Sequence, residues 1–192
     1  LPVWLCFQLG RGRVISHEDI AKNSGEFPVY SSQTESDGVM GCIATYDFDG
    51  DYLTWTTDGA NAGTVFRRSG KFNCTNVCGT LKPVRPDIDL DFCWHAVALS
   101  TASYVRMDIN PKLMNNVIAG IRIPIPPPAE QADIAAHIRK ISGTFAPLID
   151  EANTAKSILQ ERRAALISAA VTGKIDVRRL AVAAADRTPE PA

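Results

Sequence analysis

Side chains that can form two directed hydrogen bonds at once cluster in three places in this sequence. Ser31, Ser32 and Gln33 follow a short apolar stretch. Asn61 lies alone in a Gly-rich segment. Arg67 and Arg68 precede Lys71, Asn73, Thr75 and Asn76. These are the types that recognise nucleic acid. Arg pairs two atoms of a guanine edge, Asn or Gln two atoms of an adenine edge, while Lys, Arg and hydroxyl residues fix phosphates. The same types serve structure as well. Gln33 and Asn61 can bond the backbone of their own loops, Arg67, Arg68 and Lys71 can be a solvated turn, and one of Asn73 and Asn76 can be structural on an alternating strand.

Catalytic alternatives find less support. His17, His95 and His137 are far apart and show no ligand-like spacing. Cys74 and Cys78 are four positions apart and no Cys-x-x-Cys occurs, so no metal site is expected. "GANAGT" lacks the Lys-Ser/Thr of a phosphate loop, and no dinucleotide fingerprint is present. No Ser–His–acid or paired-carboxylate arrangement follows from spacing. The adenine-methylating pattern of Asn or Asp before Pro-Pro-Tyr is missing. No enzyme activity and no cofactor are expected.

The 192 residues carry 20 Lys and Arg against 21 Asp and Glu, a net charge of −1, which excludes a general polycation. Residues 1–120 hold 13 acidic and 10 basic residues, a net of −3, so affinity for DNA in isolation is expected to be weak. No apolar run is long enough to span a membrane. Five scattered cysteines suit a reduced, cytoplasmic protein. A chain that begins at Leu1 and not at Met is expected to be a fragment or a trimmed form.

Two segments with different periodicities must position these residues. Residues 1–123 read as an α+β, β-rich domain. "YDFDGDYLTWTT" places a hairpin turn at Asp49-Gly50, and "TVFRRSGKFNCTNVCGTL" a second at Ser69-Gly70. That second turn would put the Arg67, Arg68 and Lys71 cluster at a hairpin tip. "GEFPVYSSQ" is a further strand, 58–64 an irregular loop, and an apolar helix is expected over about 88–104. Residues 124–128 form a proline-rich joint, stiff and unable to join a central strand.

Residues 129–173 are expected to be one helix. Ile134, Ile138, Ile141, Phe145, Leu148, Ala152, Ala155, Leu159, Arg162, Leu166 and Ala169 alternate spacings of four and three, a coiled-coil seam. Such a helix would be roughly 65 Å long and could not hide its seam without a partner helix. Arg162, the polar interruption, either specifies register or lets its head reach water. Pro147 predicts a kink, or a break between Ser142 and Pro147. Gly173 supplies the stop. The tail, 174–192, is expected to be partly disordered.

"IPIPPPAEQADIAAHI" and "LIDEANTAKSILQERRAALISAAVTGKIDVR" resemble the helical region of type I restriction–modification specificity subunits. The matches are Glu130-Gln131, Glu161-Arg162-Arg163 and Ala170 through Asp176. "PVYSSQ", "GANAGTV" and "GKFNCTNVCGTLKP" resemble that family's target-recognition domain. The resemblance implies a non-enzymatic subunit that reads one half of a split double-stranded DNA target. It further implies partner methyltransferase and restriction subunits. A second recognition half would come from the same polypeptide or from a second copy. Lys156 and Arg163 are then either solvated charges or docking points for a methyltransferase. The recognition tail of a fused restriction–methyltransferase enzyme and a coiled-coil scaffold that binds only proteins are the rival readings.

Overall fold

Glycines at positions 50 and 70 organise the fold, in a way the local turn signals do not reveal. The computed structural model describes residues 1–106 and 109–175. Its elements in chain order are α1 (Val3–Cys6), β1 (Phe7–Arg11), α2 (His17–Lys22), β2 (Ser24–Tyr30), β3 (Val39–Ile43), β4 (Phe48–Asp49), β5 (Tyr52–Thr56) and β6 (Val65–Arg68). There follow β7 (Lys71–Cys74), β8 (Cys78–Pro83), α3 (Leu90–Thr101), α4 (Asn115–Gly120) and α5 (Pro128–Val171). One sheet has the strand order β1-β8-β5-β6, the other β3-β2-β7-β4. Strand pairs are antiparallel except β2 with β7.

The two expected hairpins are in fact one. Phe48 pairs with Phe72 and Asp49 with Lys71 in the second sheet, and Tyr52 to Trp55 pair with Arg68 to Val65 in the first. The register does not slip between these sets, and the Gly50 N–H donates to the Gly70 carbonyl at 3.1 Å. Residues 48–56 and 65–74 therefore form a single bent ribbon that crosses from one sheet to the other. Gly50 (φ +110°) and Gly70 (φ +79°) face each other at the bend. Their positive φ lets both strands turn the corner together, a conformation an L side chain would resist. The chain reverses only at 57–64. Asp49-Gly50 and Ser69-Gly70 are corners, so the basic cluster does not sit at a hairpin tip.

The first sheet packs its inner face on α1, α3 and α4. Trp55, Leu53, Leu81, Phe7, Phe92, Val97, Leu113 and Ile118 form this core. Each such side chain contributes about 1.5–3 kcal/mol of burial. Trp55 satisfies its indole N–H on the Leu113 carbonyl at 2.9 Å. Its ring lies over Gly79, its cross-strand partner, where an added Cβ would stand 2.1 Å from the ring. Tyr30, Phe48, Tyr52 and Phe72 build a second, aromatic core by edge-to-face and stacked contacts. The five cysteines are unpaired. Burial pushes the Cys93 thiol up to about 12.

By packing, one compact unit runs from Leu1 to His137 and a second from Ile138 onward. The first includes the opening turns of α5, because Ile134 and Ala135 pack on the first core. Gln131 is fully buried there. Its amide donates to the Asp87 carbonyl at 2.9 Å and the Pro126 carbonyl at 2.8 Å, and accepts from the Asp89 N–H at 2.9 Å. Asp89 in turn caps α3 through the Phe92 N–H. At the other end of the joint, the Leu1 ammonium bonds the Ile123 carbonyl at 2.7 Å.

Helix α5 has 44 residues, about 66 Å at the standard rise. It continues through Pro147 without a break. The carbonyl that loses its donor there belongs to Gly143, four residues earlier, where no side chain adds to the crowding. The helix stops at Val171, with Gly173 at φ +72° and the Lys174 N–H returning to the Ala169 carbonyl. Along the seam, Ile138 is half-buried, while Ile141, Phe145, Leu148, Leu159 and Leu166 are exposed, as is Arg162. The tail expected to be disordered lies, from residue 176, outside the described residues. Among the described residues no helix is long and apolar enough to cross a membrane, and no cluster of His, Cys, Asp or Glu could hold a metal.

Candidate nucleic-acid interface

The segment 31–38, which joins β2 to β3, is an exposed loop with an unusual backbone. Ser36 (φ 49°) and Asp37 (φ 56°) both occupy the left-handed region, followed by Gly38 (φ +80°). For Ser and Asp this costs on the order of 1 kcal/mol each, so neighbours must hold the loop. Arg68 does so. Its guanidinium forms an ion pair with the Asp37 carboxylate, donates to the Asp37 carbonyl at 2.8 Å, and reaches Thr54 Oγ1 at 3.4 Å. It lies 3.6 Å from the Tyr30 ring centre and 4.4 Å from that of Phe66. Its side chain is only 2% exposed, whereas that of Asp37 is 70% exposed. The two rings replace the water that burial removes from the cation. Burial pushes the Tyr30 phenol up, and the charge of Arg68 opposes that shift.

Two further ties close the loop. The Ser31 N–H donates to the Gly38 carbonyl at 2.9 Å, and the Gln33 amide donates to the Val39 carbonyl. Asn61, from the tip of the bent ribbon, donates to the Ser32 carbonyl at 3.3 Å. The Asn61 carbonyl accepts from Thr56 Oγ1 and from the Thr64 N–H. Ser31, Ser32, Gln33, Asn61 and Arg68 are thus brought together from three stretches of sequence. Gln33 and Thr34 stay exposed on this loop.

At its other end the tip loop meets a group of cations. Asp58 lies 3.6 Å from Arg11 and 3.7 Å from Lys112. Arg11 also donates to Thr57 Oγ1 at 3.3 Å and to the Asn76 carbonyl at 2.6 Å. Backbone bonds between Arg106 and Lys112 in both directions bring the exposed Arg106 into the same neighbourhood. Loop 57–64 therefore bridges a polar loop and a cationic group. Cations, a type able to hold phosphates, and side-chain amides, a type able to meet base edges, thus adjoin one hairpin tip.

The remaining sequence candidates are placed differently. Arg67 is half-exposed and engaged by both Asp51 and Asp91. Lys71 is exposed, with its ammonium 4.4 Å from the Tyr46 ring centre. Asn73 is fully buried and donates to the Thr45 carbonyl at 2.7 Å. Thr75 is buried, and Asn76 is exposed beside Arg11. The cluster that looks contiguous in sequence thus divides between buried bonds and separate surfaces. Arg11, Arg106 and Lys112 are not among the sequence candidates. Each stands alone in sequence, and only the fold gathers them. Asp37 carried no signal beyond its place in a Ser-rich turn.

Residues 6–148 match the family model of type I restriction modification DNA specificity domains. The Mycoplasma pneumoniae type I restriction enzyme MpnII specificity subunit is 42% identical over 129 residues, covering 67% of this chain and 39% of the relative. A second M. pneumoniae sequence, provisionally named as the N-terminus of a type I specificity subunit, is 49% identical over 114 residues. That alignment covers 59% of this chain and 61% of the relative. The crystal structure of the type I restriction–modification S subunit from M. genitalium superposes with a TM-score of 0.63 at 16% identity, over 84% of this chain and 43% of that one. At that identity the likeness concerns the fold. The chain spans less than two thirds of the length of these relatives.

Proposed function

Because the chain belongs to the family of type I restriction–modification DNA specificity domains, we propose that it reads one half of a bipartite double-stranded DNA target. In this reading it directs methyltransferase and restriction subunits to that target and catalyses neither step. The observation that carries the proposal is the family match over residues 6–148, which spans the sheets, the joint and the first half of α5. The site geometry supports it. Gln33, Ser31, Ser32 and Asn61 offer base-reading and phosphate-binding groups around the ribbon tip, while Arg11, Lys112, Asn76 and Lys71 supply contacts outside that loop. The exposed Ile141, Phe145, Leu148, Leu159 and Leu166 give α5 an apolar stripe that takes a second helix. That helix comes from a second recognition half in the same polypeptide or from a second copy. The helix pair then sets the distance between half-sites.

The test is to assemble the chain with its methyltransferase subunits and map the methylated adenines in DNA exposed to the complex. One recurrent split sequence is expected. Arg11→Gln with Lys112→Gln should weaken binding to every duplex and lower the salt slope by about two, because each cation removed leaves one phosphate with its counterion. Equal affinity for all duplexes and scattered methylation would overturn the reading and favour a scaffold that binds only proteins.

A further inference from the structure

We propose that Arg68 touches no base or phosphate but is the positioning residue that holds loop 31–38 in its reading conformation. This deepens the DNA-reading function proposed above and rests on it. Along β6, residues 67 and 68 point to opposite faces, as strand geometry requires. Arg67 meets Asp51 and Asp91, while Arg68 turns inward between Tyr30 and Phe66. From there it directs its donors to Thr54 and to both the carboxylate and carbonyl of Asp37. With 2% of its side chain exposed, it has no face to offer a duplex.

Its bonds converge on the most strained backbone of the loop, the pair Ser36 and Asp37, both at positive φ. Gly38 next to them leaves no room to spare, since an added Cβ would stand 3.3 Å from an Arg68 amino group and 3.1 Å from the Gln33 carbonyl. A planar cation is needed here. It must stack on a ring while two nitrogens reach one residue, and a Lys ammonium cannot do both. Loss of the clamp leaves Ser36 and Asp37 free to relax, and Gln33 and Thr34 move with them. Asn61 still ties Ser32 to the ribbon tip, so the loop stays attached but no longer keeps to one conformation. Arg68 therefore governs which base is accepted and not how tightly DNA is held.

The test uses the full chain assembled with its methyltransferase subunits, and a panel of duplexes varied one base at a time through the mapped target. Arg68→Lys and Asp37→Asn are compared with wild type. Expected is an about ten-fold loss of discrimination at one or two adjacent base positions, the scale of one good base contact. Affinity for unrelated duplexes and its salt slope should stay unchanged. A uniform fall in affinity at every sequence, with the slope reduced by about one, would make Arg68 a phosphate contact and overturn the proposal. Should Arg68→Lys fail to fold, Asp37→Asn decides, because that side chain is exposed. Unaltered base preference in Asp37→Asn would also overturn it. If the wild-type complex itself shows no base preference, the DNA-reading function fails first and the clamp loses its purpose with it.

Discussion

Replacing Gln131 by Met tests how the first unit holds the root of α5. Met keeps nearly the same volume, so the change isolates hydrogen bonding from cavity formation. It strips partners from the Asp87 carbonyl, the Pro126 carbonyl and the Asp89 N–H. Gln131 is fully buried, so solvent does not reach its side chain in the native state. At about 1 kcal/mol net for each bond, the loss is about 3 kcal/mol. Against a total of about 5–15 kcal/mol for a domain this is large, and it corresponds to a fall of about 10 °C in melting temperature. Gln131→Glu should do no better, since the ionised side chain keeps the acceptor for Asp89 but loses both donors and buries a charge, while the protonated one keeps a single donor for two carbonyls. The assay is urea unfolding followed by tryptophan fluorescence, because Trp4, Trp55 and Trp94 all lie in the first unit. A loss below about 1 kcal/mol at unchanged slope would refute the reasoning, by showing that Asp87, Asp89 and Pro126 find other partners at no cost.

Gly79→Ala should destabilise the first unit by about 3 kcal/mol and alter the near-ultraviolet circular dichroism of Trp55, since the new methyl overlaps the indole ring. Iodoacetamide at pH 8 should modify half-buried Cys42 first, and Cys6, Cys74, Cys78 and Cys93 only on unfolding, as peptide mass mapping would report. Cys93 has its folded pKa raised from 9.0 to about 12. Between those values the folded state binds the proton more tightly, so its contribution to stability is full below 9 and is lost as pH rises toward 12. The urea midpoint of wild type should therefore fall more steeply with pH in that window than that of Cys93→Ala. If the second helix of the proposed pair comes from a second copy, Leu159→Glu with Leu166→Glu should lower the mass in sedimentation equilibrium without changing the fluorescence of the first unit.

What sequence reading could see depended on how local each determinant is. Helix α5 was legible because its four-three spacing lies within one element and its stop at Gly173 lies two residues beyond its end. Of the kink at Pro147 or the break between Ser142 and Pro147 that proline predicts, the break does not occur: α5 runs through, and the carbonyl left without its donor is that of Gly143. The bent ribbon was illegible. Asp-Gly and Ser-Gly each favour a turn, but whether the strand reverses or merely bends depends on what lies opposite. Here each Gly lies opposite the other, a fact about pairing across twenty residues. The basic cluster misled for a related reason. Whether a strand Arg faces solvent or core depends on register, and the rings that accept Arg68 come from strands in both sheets, Phe66 in one and Tyr30 in the other. Arg11 and Lys112 meet only because Asp58 stands between them.

The proline joint shows the same dependence at its smallest scale. Proline fixes one of the two backbone angles of each residue, so a proline run is stiff but not rigid. It also removes N–H donors, while the carbonyls keep their need for partners. Two of those carbonyls are met by one residue. The Pro127 carbonyl accepts from the Gln131 N–H, and the Pro126 carbonyl accepts from the Gln131 side chain. The same side chain then spans to Asp87 and Asp89 at the start of α3. Rigidity in this joint thus comes from a buried amide in the first turn of α5, which binds the joint, that turn and the cap of α3 into one network. Under the function proposed above, a helix that sets a distance between DNA half-sites would have use for such a root.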